Sequence, residues 1–220
     1  MKTNQYATFG AAALAAIVLG SGTLAGQAPA STVGHNHIGH VMTMWKDTPN
    51  TQGFLPTAAA EAKVAATHAG LAAKSPDNLD AMKMHAAHVL HALDPSVEMK
   101  GPGAGYGLKK AAAGALQHVQ LLAKTEGVSK NVMTHSGHVS ASLEDVVQWT
   151  DAAIATAQKI RAATTAAAAA PLVTELAGQT TAIAGGMDAN KDGKIGWQTG
   201  EGGIEQAQMH MGFMMKGEGL

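Results

Sequence analysis

Three histidines, His85, His88 and His91, stand at three-residue intervals in the stretch MHAAHVLHALDP (84–95). On an α-helix that spacing keeps all three on one face, within an arc of about 120°. A face with imidazoles where leucines are expected is either a wet polar surface or a set of ligands for a metal or a haem. An offset of 50 residues favours ligands. It sets His68 on His118, His85 on His135 and His88 on His138, and ten of the 39 positions in 57–95 recur in 107–145. Such an internal repeat predicts a duplicated helical hairpin. His91 meets Ala141 in this register and is a weaker candidate at the rim.

His68 precedes the turn of the first hairpin by about as many residues as His85 follows it, so antiparallel packing places the two at nearly one height. If the two hairpins pair about a pseudo-two-fold axis, His68, His85, His88, His118, His135 and His138 converge on one shared site. Burying that many imidazoles without partners is costly, and their flanks offer mainly alanine, serine and glycine. Neutral imidazole binds zinc, copper, nickel and haem iron. Ala86-Ala87 and Ser136-Gly137 separate the paired histidines and are small enough to admit a flat macrocycle, and a haem b would supply volume that alanine-rich helices lack. In this the architecture resembles b-type cytochrome bundles, which implies electron transfer.

Methionine recurs beside histidine in HVMTM (40–44), MKMH (82–85), MTH (133–135) and MHMGFMM (209–215). Thioether with imidazole suits copper, and the pattern resembles that of periplasmic copper- or silver-handling proteins. That resemblance implies a metal-sequestering chaperone. Further candidate ligands are His35, His37 and His40 in HNHIGH (35–40), where alternating histidines chelate weakly, and His210.

A second motif, DANKDGKI (188–195), resembles the EF-hand calcium loop. Asp188, Asn190 and Asp192 supply side-chain oxygens at its positions 1, 3 and 5. Gly193 allows the sharp turn, Lys194 offers its carbonyl, and Ile195 is expected to pack inward. Position 12 is Thr199, so the closing carboxylate falls to Glu201 or Glu205. The resemblance implies a structural calcium.

The elements expected to position these groups are helices. The periodicity predicts helices over about 57–74, 77–94, 108–125, 129–165, 171–185 and 203–215, with Pro171 in the first turn of the fifth. GPGAGYG (101–107) reads as a flexible connection. No segment has strand periodicity. The fold class is all-α: an antiparallel four-helix bundle over 57–165, built from repeats 57–95 and 107–145. It is preceded by an extended His/Met arm (31–56) and followed by an EF-hand-like helix-loop-helix unit (166–220).

Residues 1–30 read as a signal peptide, with one charge at Lys2, an apolar run and Ala28-Pro29-Ala30 as the cleavage site. A periplasmic or secreted location follows. Without them the chain keeps 14 basic and 16 acidic residues, which gives no footprint for nucleic acid. The absence of cysteine excludes thiolate metal sites, covalent c-type haem and cysteine nucleophiles. No paired catalytic carboxylates, Ser/His/Asp set or phosphate loop is evident. A binding protein is therefore expected before an enzyme, its partner a metal ion or haem. A docking role as accessory subunit of a periplasmic or membrane-associated complex, with a redox or membrane-complex partner, is a further expectation.

Overall fold

The structure, a computed structural model, describes residues 32–220, so the expected signal peptide lies outside the described residues. Among the described residues there are seven α-helices and no strand: α1 (Thr32–Met42), α2 (Phe54–Ala73), α3 (Leu79–Leu93), α4 (Leu108–Ala123), α5 (Lys130–Ala162), α6 (Ala166–Gly185) and α7 (Ile204–Glu218). None of these helices is long and apolar enough to cross a membrane.

Local chemistry sets several of the boundaries. The Asn78 side chain accepts from the Ala81 N–H to start α3, Ser129 from Val132 to start α5, and Thr165 from Ala168 to start α6. The Thr165 cap and the alanine run after it carry α6 five residues upstream of Pro171. The expected start at 171 is thus corrected: Pro171 lies inside the helix and removes one backbone donor there. The expected extended arm is corrected too, because its first part is α1, which buries Ile38 and Val41 at an i, i+3 spacing.

Helix α2 packs against α3 and α4, and α5 packs against the same two, an arrangement compatible with a four-helix bundle. Helix α6 lies on α2 and α5, α7 runs along α5, and α1 covers α4. Alanine dominates the inner faces, with Leu55, Leu93, Leu108, Leu122, Leu143 and Ile160 filling the space between them. The glycine-rich connection is pinned rather than free. Buried Glu61 accepts from the N–H groups of Tyr106 (3.1 Å) and Gly107 (3.4 Å), and a side chain at Gly103, whose φ is +117°, would collide with the Glu61 carboxylate.

Candidate metal centres

Nine of the eleven histidines gather in three clusters of three. His37 and His40 of α1 meet His118 of α4. His85 and His88 of α3 meet His68 of α2. His135 and His138 of α5 meet His210 of α7. Each cluster is made alike: two histidines three apart on one helix, which places them on one face, and a single histidine from the helix beside it.

The helices orient these rings by one common pattern. In the paired helices the motif is HIGHV (37–41), HAAHV (85–89) and HSGHV (135–139). Around the first histidine of each pair, the residues three before, one after and four after are buried: Gly34, Ile38 and Val41; Met82, Ala86 and Val89; Val132, Ser136 and Val139. The single histidines obey the same rule, with Ala65, Ala69 and Ala72 around His68, Ala115, Val119 and Leu122 around His118, and Ala207, Met211 and Met214 around His210. A residue set so lies at the edge of the apolar stripe, where two packed helices meet solvent and side chains from both can converge.

The rings meet through Nδ1. His37 and His118 bring these atoms to 2.9 Å, His68 and His85 to 3.0 Å, His88 and His68 to 3.2 Å, His135 and His210 to 3.0 Å, and His138 and His210 to 3.3 Å. Two nitrogens bound tetrahedrally to one ion at zinc-like bond lengths of about 2.0–2.1 Å stand about 3.3 Å apart. Hydrogen bonding alone does not account for the second and third clusters. Nδ1 of His68 faces two other Nδ1 atoms, and so does Nδ1 of His210, yet an imidazole nitrogen either donates one proton or offers one lone pair. A cation between the three rings accepts every lone pair at once, so each cluster is competent to hold a metal ion.

Protonation favours the same outcome. Burial, helped by the imidazoles of His40 and His37, pushes His118 down to about 4, and burial with His138 and His135 pushes His210 down to about 4. Burial first, and an adjacent histidine second, also lowers His37, His68, His85 and His138. These rings are neutral near pH 7, the form that ligates.

The surroundings of the clusters differ. Trp45 lies edge-on to His40 and His118, and Phe54 stacks on His118. Trp197 stacks on His138 with ring centres 3.9 Å apart, and Phe213 packs against His135 and His210. Among the described residues, the rings near His68, His85 and His88 are only those of the three histidines themselves.

Comparison of the chain with protein-family models, with curated proteins and with solved structures finds no match. The functional reading therefore rests on the geometry.

The six histidines expected to share one site are divided among three clusters, and this corrects the single converging site. His68 joins His85 and His88 within one hairpin, but His118 turns to α1 while His135 and His138 turn to α7. The offset of 50 residues holds for burial, which matches position by position between 61–69 and 111–119, but not for the partners of the rings. His37, His40 and His210, taken from sequence as supplementary ligands, are full members. His91 is outside every cluster; its Nδ1–H donates to the Glu98 carbonyl at 2.8 Å. His35 lies 3.6 Å from the Glu218 carboxylate. The missed signal was the H-x-x-H-V motif, present three times, which the His-x-His alternation in HNHIGH obscured.

In the 188–201 segment the turn is built by side chains. Asp188 accepts from the N–H groups of Asp192 and Gly193, Asn190 from that of Asp192, and Asp192 from that of Lys194. Gly193 takes φ +84°. The buried Glu201 carboxylate closes the segment, accepting from the N–H groups of Asn190 (3.3 Å) and Gly196 (3.0 Å). Glu205 lines a separate hollow with Ala59 and Lys63, so of the two expected closing carboxylates the structure brings in Glu201. Ile195 is 40% exposed and so does not pack inward as expected. Asp145 of α5 anchors the far end of the segment, accepting from the Gly200 N–H at 2.7 Å.

Proposed function

We propose that this protein binds three transition-metal ions per chain, one in each histidine cluster, and that it serves to hold or sequester them. The observation carrying this reading is the same construction repeated three times, with Nδ1 atoms at distances that suit one ion. All-imidazole donor sets select zinc, copper, nickel or cobalt over calcium and magnesium, which require oxygen. The axial ligands of a haem lie on opposite faces of the macrocycle, and rings this close leave no space for one, so a bare ion fits the clusters better. Copper is favoured by Met44, Met84, Met133 and Met209, all exposed and close in sequence to the cluster histidines.

Within the same proposal, the 188–201 segment binds calcium and the two halves of the bundle descend from one duplicated hairpin. Such a protein acts outside the cytoplasm, where the signal-peptide reading places it. Metal analysis after loading with zinc or copper tests the main reading. Three equivalents per chain are expected, falling to two in a variant that loses one cluster. A wild-type chain that holds none after removal of excess metal would refute it.

A further inference from the structure

Two of the three clusters have Trp and Phe rings packed against their histidines, and the third borders a cleft without them. The cleft beside His88 has a volume of about 510 Å³ and is lined also by Lys83, Met84, Glu98, Lys100 and Arg161. Arg161 donates to the Glu98 carboxylate at 2.9 Å, so the one acidic group in the lining is already paired with one of its three cations. Among the described residues no carboxylate lies within ion-pair distance of Lys83 or Lys100. The cleft thus carries two uncompensated ammonium groups next to a centre that has three protein ligands.

A three-histidine ion is coordinatively incomplete, and a fourth position left to solvent or an incoming ligand is the mark of a reactive rather than a purely structural site. At the other two clusters, Trp45 with Phe54, and Trp197 with Phe213, pack against the histidine rings and offer no donor atom to the ion. The approach to the His68, His85 and His88 centre runs past Lys83 and Lys100 with no Trp, Tyr or Phe in its lining, whereas the smaller hollow beside His40 is walled by Trp45 and carries one cation, Lys46. A metal ion and flanking lysines attract negative charge, and an oxygen of the incoming group both ligates the ion and accepts from an ammonium.

We infer that the His68/His85/His88 centre is an exchangeable site that takes a small oxyanion, such as phosphate or a carboxylate, as its fourth ligand from the Lys83/Lys100 cleft. The inference rests on the metal reading above and adds an exchangeable ligand position at this centre. Its test uses the full chain loaded with Co²⁺, whose visible spectrum reports its ligands, and titration with inorganic phosphate.

Phosphate is expected to alter the absorption of one cobalt in three. The change disappears in His85→Ala/His88→Ala, and in Lys83→Gln/Lys100→Gln it needs about tenfold more phosphate while all three cobalt ions stay bound. A spectrum indifferent to phosphate with three ions in place would overturn the anion site alone. So would a response that survives unchanged in the lysine variant. If the wild type and His85→Ala/His88→Ala hold the same number of ions, this cluster binds no metal. The metal reading for this centre then fails together with the inference.

Discussion

His118 brings its Nδ1 to 2.9 Å from Nδ1 of His37, a residue 81 positions earlier in the chain, whereas its counterpart in the repeat, His68, turns to His85. A ligand pair so distant in sequence closes a long loop, and an ion held there ties α1 to α4. His37→Ala should therefore remove one metal equivalent of three. In the presence of metal it should lower the melting temperature, because an ion bound only by the native state stabilises by mass action. Deletion of 31–48 should remove the same equivalent. Metal analysis that still finds three ions in either variant contradicts the assignment of α1.

His91 shares a helix face with His85 and His88 in sequence but spends its Nδ1–H on the Glu98 carbonyl. His91→Ala should keep all three ions. It should lose about 1 kcal/mol of stability in urea titration, the worth of one intramolecular hydrogen bond. Loss of an ion from this variant would show that the ligand set has been drawn too narrowly.

These two histidines mark what sequence could and could not reveal. Helices, caps and the i, i+3 pairing follow from local chemistry, so the all-α class and the shared faces of His85/His88 and His135/His138 were legible. Which helix faces which was not. The offset of 50 residues correctly pairs positions of equal burial, such as Ala65 with Ala115, but burial fixes only the inward stripe. The partner at the edge of that stripe depends on whether α1, α3 or α7 lies alongside, and that is decided by packing across the whole chain. Ile38 and Val41 show the same limit. Their apolar spacing was present in the arm, but only the face of α4 that they cover makes α1 a helix worth forming.

Acid should destabilise the metal-free protein. His118 and His210 are held near 4 in the folded chain against an ordinary 6.5, with burial as the main cause. Between those values the unfolded chain binds more protons than the folded one, so stability rises with pH through that window and is fully present above it. Urea midpoints measured in chelator should climb from about pH 4 to about 6.5 and then level off. His118→Asn/His210→Asn should flatten the climb. A flat profile in the unmutated chain would show that these rings titrate normally.

Calcium should stabilise the chain through the 188–201 segment. Asp188 and Asp192 are exposed, and their carboxylates already order the turn by accepting backbone N–H groups, while Glu201 reaches in from the far end. Calcium at a hundred times its dissociation constant adds about 2.7 kcal/mol, and for a chain of this size each kcal/mol is worth about 2–4 °C in melting temperature. The unmutated protein should gain that shift on passing from chelator to calcium, and Asp188→Ala or Glu201→Gln should abolish the gain. Because Trp197 sits inside the segment and stacks on His138, its fluorescence should change over the same calcium range. Equal melting temperatures of the unmutated chain in calcium and in chelator would mean that the segment is a turn held by its own hydrogen bonds, with no ion required.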